Sequence, residues 1–543
     1  MSSRPAALTL AVVLGAQLLI GAHYVSRTAI FDGDARVFVL WDDAMISMRY
    51  ARNLALGHGL VWNPGETPVQ GFSNLGVTLV MAALHALGLP RVFAALGVQL
   101  LALGALVGTA GLCARNVQDV SRNAWAGVGA ALALLLCAPH QIYALQGSDT
   151  SFVALLLAAS HAQLIRGWLR KRRWPISAFV PLLVAVVVRP DASLFVVTAL
   201  AVVLLFPDAR GRTVVALPVA GFVAVWAGLI AFSLAYYGDP LPNTYYLKAS
   251  GTPRLAMWAS GFNQLGLVAP GLLPAVALGG LALLARPSVQ PDAGPPTRPL
   301  LLLLAGSVAA ATAYHVWVGG DWIREYGSRH LVQILPSALS LAAIGAARIA
   351  ASLGGRAAAG LALLLAAAPG AAANPLHPAR EWFQPKTPTL FHRENQMNFM
   401  RSRFLERTTR SDTSIAVHWG GVGPYFADRT SLDILGRSDR HIAHTRAEQF
   451  VPGHSKWDWD YVLEIQQPDL IDFESRNLRD HPRFRSDYLV LRGGPTANLF
   501  VRRDAVDKLL DPSLQVLPLD ALFGPAKGSP DPPQATPGTK RNH

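Results

Sequence analysis

The stretch Trp41–Asn74, WDDAMISMRYARNLALGHGLVWNPGETPVQGFSN, decides how the chain is read. It follows the first apolar run directly. Two adjacent carboxylates, Asp42 and Asp43, open what the spacing predicts as a helix. Ile46, Tyr50 and Leu54 fall at i, i+4 and i+8 on one stripe, and Arg49, Arg52 and Asn53 lie on another face. Gly57 and Gly59 stop the helix, because glycine takes the left-handed turn at a helix end without a Cβ clash. A short amphipathic helix beside a membrane segment, with acids at its start, suits a site at the membrane–water boundary. Asp42 also reads as a plain N-cap, a position that favours Asp.

The surrounding composition fits a multi-spanning membrane protein. Of 543 residues, 52% are hydrophobic and only 15% charged. The formal net charge of +13 points first to inner loops obeying the positive-inside rule. No Lys/Arg tract with interleaved aromatics occurs, which argues against a nucleic-acid partner. Cys113 and Cys137 sit inside apolar runs and outline neither a disulfide framework nor a zinc site. After Arg4, the run from Ala6 to Ile20 continues without a convincing cleavage site, so it reads as a retained anchor.

Apolar runs fall at roughly 6–24, 73–89, 92–113, 124–138, 151–165, 175–188, 192–206, 213–236, 262–285, 299–318, 331–349 and 357–372. If every run spans, Arg115, Arg122 and the basic stretch Arg166–Arg173 fall outside, against the charge bias. Treating 73–89 as an interfacial outer helix repairs this. It places those residues inside, with Arg210, Arg212, Arg286, Arg298, Arg348 and Arg356. About eleven spans remain, with the N-terminus cytoplasmic and the C-terminus outside. The outer face then collects Phe31–Asn74, Pro139–Asp149, Arg189–Asp191, Tyr236–Arg254 and Gly319–His330. The expected architecture is a transmembrane domain over 1–372, an outer α/β domain over 373–523 and a disordered tail over 524–543. In the outer domain, Ser414–His418 alternates like a strand. Asp487–Leu491 and Asn498–Arg502 read as a hairpin around Gly493-Gly494-Pro495. The Pro/Gly-rich tail carries no such pattern.

Each outer loop offers groups able to do chemistry. Carboxylates at a helix N-terminus are held ionised by the helix dipole. Asp42 and Asp43 could therefore act as a base toward an acceptor hydroxyl, or hold a divalent cation such as Mg²⁺ or Mn²⁺. Asp149 follows Gly147-Ser148 at a span end, where it reads either as a site acid or as the N-cap of the next helix. Arg189 and Asp191 flank a proline between two short apolar runs, where charge is costly unless partnered. They form either part of a site or a self-satisfied turn. The segment YYGDPLPNTYYLK clusters Tyr237, Asn243, Tyr245 and Tyr246 near Lys248. Aromatic faces and amides suit a sugar, and a lysine suits a lipid-linked phosphate. In GGDWIREYGSRH, Asp321, Arg324, Arg329 and His330 lie at a span mouth, and a planar guanidinium fits phosphate. Snorkelling is the plain alternative for Arg329. In the outer domain, His418, Trp419, Asp439 and Arg440 are candidates for the acceptor side. His441 and His444 have helical i, i+3 spacing but no further metal-ligand set.

Taken in order, WDDAMISMRYARN, GHGLVWNPGETPVQGFSN, GSDT, RPDA, YYGDPLPNTYYLK and VWVGGDWIREYGSRH resemble the GT-C superfamily of polytopic membrane glycosyltransferases. Within it, the chain is most similar to bacterial arabinofuranosyltransferases that use decaprenyl-phospho-arabinose; HWGGVGPYF, LGRSDRHIAH and VPGHSKWDWDY look like that group too. The resemblance covers about 40–500. It implies a catalytic carboxylate in the first outer loop, at Asp42 or Asp43, and two outer juxtamembrane helices at 43–56 and 73–89. It further implies a polyprenyl-phosphate sugar donor entering from the bilayer. Where the related pattern often has Glu, this chain has Asp149, one methylene shorter. The expectation is transfer of a sugar, arabinofuranose by resemblance, to a glycan or protein acceptor at the periplasmic face of a bacterial inner membrane. A transporter or flippase for a lipid-linked sugar is the alternative from another class. It would place coupling residues deep in the spans and show inverted repeats, and neither is visible in the sequence.

Overall fold

A computed structural model describes residues 4–284, 296–321, 328–351, 355–374, 376–384, 389–447, 450–494 and 499–524. Arg286, Arg324, the 495–498 turn and the tail beyond 524 lie outside the described residues.

Helix α1 (Arg4–Arg27) leads into a short hairpin, β1 (Ile30–Asp32) and β2 (Ala35–Val37). Then come α2 (Asp42–Ala55), α3 (Leu75–Ala86) and α4 (Ala94–Ser121). A bent pair follows, α5 (Ala124–Leu136) and α6 (Ala138–Leu145), turned 59° at Cys137. The chain continues through α7 (Thr150–Lys171), α8 (Phe179–Val188), α9 (Ser193–Leu205) and α10 (Ala216–Tyr237). Next are α11 (Asn243–Ala249), α12 (Arg254–Leu284), α13 (Arg298–Trp317), α14 (Arg329–Val332), α15 (Leu335–Ala350) and α16 (Gly355–Ala372).

This is a multi-pass membrane protein. Among the described residues, six helices are long and apolar enough to cross a bilayer, and the bent pair makes up to seven. Four of the five shorter apolar helices fall at α8, α9, α15 and α16. The fifth is α3. It lies against α2, with Asn74 at its start accepting a hydrogen bond from Ser47 Oγ and His85 near its end meeting Tyr425. The expected demotion of 73–89 from a span therefore matches the fold. Segment 139–149 differs from expectation. Much of it is the buried helix α6 rather than an outer loop, because Pro139 is tolerated in a first turn and breaks continuity with α5.

Helices α2, α3, α6 and α11 meet the C-terminal segments and define the domain face of the bundle. Helices α17 (Leu376–Phe383) and α18 (Leu390–Thr408) cover part of it. They lead to β3 (Ser414–Val417), α19 (Val422–Ala427), β4 (Thr430–Asp433) and α20 (Arg440–His444). The sheet is completed by β5 (Leu470–Asp472), β6 (Tyr488–Arg492), β7 (Leu499–Arg502) and β8 (Gln515–Pro518). Its order is β4-β3-β5-β7-β6-β8, with β3 parallel to β4 and β5 and the remaining pairs antiparallel. The strands expected at 414–418, 487–491 and 498–502 are β3, β6 and β7. β4, β5 and β8 carry too few residues to announce themselves by alternation.

The polar face of α2 is largely buried too. Nine of its fourteen residues are buried, among them Arg49 and Asn53. The Arg49 guanidinium donates to Trp62 O at 2.6 Å, Asn63 Oδ1 at 2.8 Å and Arg429 O at 2.9 Å, and also to Pro424 O. Such charge-assisted bonds offset the cost of burying a cation. They clamp α2 between its own following loop and the C-terminal sheet.

Candidate active site

The first turn of α2 stands at the meeting point of the helix bundle and the C-terminal domain. Trp41 occupies the N-cap and makes no side-chain cap hydrogen bond. Asp42 is thus not the cap, and its carboxylate leaves its own helix. It accepts from Gly421 N at 3.1 Å and Val422 N at 2.9 Å, both in the C-terminal domain. A Cβ at Gly421 would lie 1.9 Å from Asp42 O, so only glycine permits this approach. Burial pushes the Asp42 carboxyl up to about 6, against the pull of Arg437 and the two amides.

Asp43 behaves in the opposite way. Its side chain is 41% exposed, and Oδ2 accepts from Arg329 Nη1 at 2.8 Å. Arg437 Nη1 lies 3.6 Å from its other oxygen. Burial works against ionisation here too, but Arg329, Arg437 and Lys248 together hold the carboxyl below its usual range. The neighbouring acids are therefore split, one easily protonated and one firmly ionised.

Arg329 is fixed from behind. Its Nε and Nη2 donate to Asp321 at 2.9 and 2.8 Å, and its Cζ lies 4.6 Å from the Trp41 ring centre. The phosphate fork expected of Arg329 is in fact filled by two carboxylates. Lys248, on α11, differs. Its ammonium has no hydrogen bond or ion pair among the described residues, yet it senses Asp43, Asp321 and Arg329. Burial and Arg329 lower its pKa.

A second network sits beside the first. Arg189 donates to Asp191 Oδ1 at 2.6 Å and Asp149 Oδ1 at 2.8 Å, with His330 Nδ1 at 3.2 Å from Nη2. Asp149 caps nothing with its side chain, so its N-cap reading gives way to this ion pair. The network ties the start of α7, the α8–α9 break and α14. Through the consecutive residues Arg329 and His330 it adjoins the first.

The other candidates separate. Tyr237 is buried and donates to Leu60 O at 2.9 Å. Asn243 is also buried, and its amide donates to Gly436 O, Arg437 O and Asp439 O, so it pins a turn of the C-terminal domain rather than facing a cavity. Tyr245 is 41% exposed, while Tyr246 stacks on His444 at 4.3 Å. His418 stacks on Phe473 at 4.2 Å, with Trp419 edge-on at 4.9 Å, and burial pushes its imidazole down to about 3. Asp439 caps α20 through Ile442 N and accepts from Tyr461, and Arg440 pairs with Asp239 at 3.0 Å. His418 and Trp419 therefore lie near His454, which senses Asp43 and Lys248, whereas Asp439 and Arg440 line a separate cleft.

Arg437 escaped the sequence reading. Its guanidinium, 8% exposed, faces Asp43, Asp42 and Asp433 and donates to His418 O at 2.5 Å. Its only sequence signal is its place in LGRSDRHIAH. As to a metal, no three His, Cys, Asp or Glu converge as a ligand set among the described residues. The oxygens of Asp42 already meet amides and those of Asp43 meet guanidinium groups, so this donor set does not fit a divalent cation.

With this geometry in hand, the chain was compared with known proteins. A family model described as a domain of unknown function (DUF8728) matches residues 388–506. The terminal β-(1→2)-arabinofuranosyltransferase of Mycobacterium tuberculosis is 27% identical over 315 residues, 52% of this chain and 49% of that one. The chain thus aligns with about half the length of that curated relative. The crystal structure of ArnT from Cupriavidus metallidurans in the apo state superposes with a TM-score of 0.57 at 15% identity, covering 91% of this chain and 98% of ArnT. ArnT bound to undecaprenyl phosphate gives 0.49 at 13% identity, covering 80% and 86%. The chain shares the ArnT fold and so has the GT-C architecture expected from its sequence, with a sheet-containing C-terminal domain.

Proposed function

We propose that the protein is a membrane glycosyltransferase that moves a sugar, arabinofuranose in the first instance, from a polyprenyl-phosphate donor to a glycan or protein acceptor. The site faces the periplasm of a bacterial inner membrane in this reading, which follows the basic residues at the opposite helix ends. One observation carries it. A partly exposed, firmly ionised Asp43 interacts electrostatically with Lys248, whose ammonium has no ion pair among the described residues, at the bundle's domain face, where a lipid headgroup would lie. The name of the mycobacterial relative supports the sugar.

The chemistry follows from these groups. The bond between the sugar's anomeric carbon and the phosphate oxygen breaks, and its electron pair leaves with the polyprenyl phosphate. The Lys248 ammonium offsets the charge that grows on that phosphate. The Asp43 carboxylate stabilises the positive charge growing on the sugar ring. It then takes the proton of the acceptor hydroxyl as that oxygen bonds to the anomeric carbon. Arg329 and Arg437 keep Asp43 charged and aimed. Asp149, Arg189, Asp191 and His330 brace the helices behind.

Transfer of labelled arabinose from a decaprenyl-phosphate donor by the purified full chain in lipid nanodiscs tests the reading. Asp43→Asn should abolish transfer while Asp42→Asn retains it. Undiminished transfer by Asp43→Asn would overturn the mechanism.

A further inference from the structure

A cavity lies apart from the acid pair. A cleft of about 880 Å³ opens between the loop after α2 (61–69) and the β4–α20 edge of the C-terminal sheet. We propose that this cleft binds a neutral, linear saccharide, the body of the glycan whose end receives the new sugar. The proposal rests on the glycosyltransferase reading above and gives its acceptor a place and a chemical class.

The lining decides the class. Anionic polymers and phosphates need unpaired cations, and the cations here are already paired. Arg440 pairs with Asp239 at 3.0 Å and His441 with Asp458 at 2.8 Å. Glu66, Asp433 and Asp439 add acid to the wall. A lipid needs a continuous apolar wall, whereas this one is rich in hydroxyls, amides and carboxylates, among them Asn63, Thr67, Ser438 and Gln466. A sugar needs flat rings for its C–H faces and many short polar groups for its hydroxyls. The rings of His441 and Tyr461 stack on each other 4.0 Å apart in this wall. The volume is near the upper end of the range for small-ligand sites, about 300–1,000 Å³, and exceeds the needs of one monosaccharide.

The cleft also adjoins the reacting groups. Arg437 Nε lies 3.5 Å from Asp433, a cleft residue, and its Nη1 lies 3.6 Å from Asp43. One side chain thus spans the distance from the cleft wall to the proposed base. The intervening turn is held in place by Asn243 through Gly436 O, Arg437 O and Asp439 O. A saccharide seated in the cleft would pass its terminal hydroxyl over this turn toward Asp43.

The test is saturation-transfer NMR on the full chain in nanodiscs with a synthetic neutral arabinofuranosyl tetrasaccharide. The wild-type protein should saturate the sugar ring protons. His441→Ala and Gln466→Ala, both at the rim, should each weaken binding about tenfold, which is about 1.4 kcal/mol. Acceptor KM should rise by the same factor, with the Kd for decaprenyl phosphate unchanged. Absent saturation, or binding undiminished in both folded variants, would overturn the proposal, as would selective binding of an unglycosylated peptide instead. Saccharide binding that depends on His441 in a protein inactive with every polyprenyl-phosphate sugar would support the cleft and refute the transferase reading. Active transfer without such binding would do the reverse.

Discussion

Arg329 and Arg189 each grip two carboxylates, yet the two grips differ in kind. Around Arg189 everything is closed, with Arg189, Asp149 and Asp191 side chains 13, 11 and 5% exposed. Around Arg329 one partner, Asp321, is 3% exposed and the other, Asp43, is 41% exposed. A closed pair with its hydrogen bonds met is a tie between helices. A pair with one open carboxylate is a tie on one side and leaves an oxygen accessible on the other, which is the asymmetry the proposed mechanism uses.

Five substitutions at four positions sharpen or break this contrast. Asp43→Asn should cost about 10²–10⁴ in transfer, the worth of a positioned base, and lower the melting temperature of the nanodisc-held chain only slightly, since this pair is partly exposed. Arg189→Met should do the reverse. Removing one partner from a buried pair costs about 3–5 kcal/mol, read as a lower Tm, with transfer per folded molecule largely kept. If Arg189→Met instead abolished transfer at unchanged Tm, the two networks would have to be merged into one site.

Asp42 sharpens the comparison through pH. Its carboxyl titrates at about 6 when folded, against 3.8 as its ordinary value. The folded state therefore holds the extra proton between these values, so this contribution to stability is full below about pH 4 and is lost as pH rises through about 6. The difference amounts to about 3 kcal/mol at most. Asp42→Asn should flatten that part of the Tm–pH curve, and an unaltered slope would count against the burial argument. Asp43 has the opposite sign, since its depressed carboxyl adds stability above the ordinary range that is lost only in stronger acid. The smallest effect is expected of Arg437→Lys, about tenfold in transfer, because a lysine keeps the charge and loses the planar fork that meets Asp43 and Asp433 together. Arg437→Gln should be worse and should raise the lower pKa of the rate–pH profile.

The bundle was legible because its causes are local. Hydropathy marked the runs, and the placement of Arg115, Arg122 and Arg166–Arg173 demoted α3 correctly. The conversion of 139–149 into helix α6 was hidden, since Pro139 reads as a breaker and also starts helices. The acids and the cations of the site were visible as residue types at span ends. Their partners were not. Asp42 meets Gly421, and Arg49 meets Arg429 and Pro424, across gaps of about 380 positions that no periodicity spans. Asn243 illustrates the same limit. Its composition suggested a sugar contact, but only the fold reveals the three carbonyls that occupy it.

The amide pair that receives Asp42 belongs to residues made 379 and 380 positions later in the chain. During synthesis the paired aspartates emerge early, while Arg437 and the Gly420-Gly421 turn arrive only after every crossing helix. Contacts so far apart form last. A ribosome-bound or truncated chain would hold an inserted bundle with a bare acid pair, without the amides of Gly421 and Val422 or the guanidinium of Arg437. The last domain to fold would complete the surroundings of that pair.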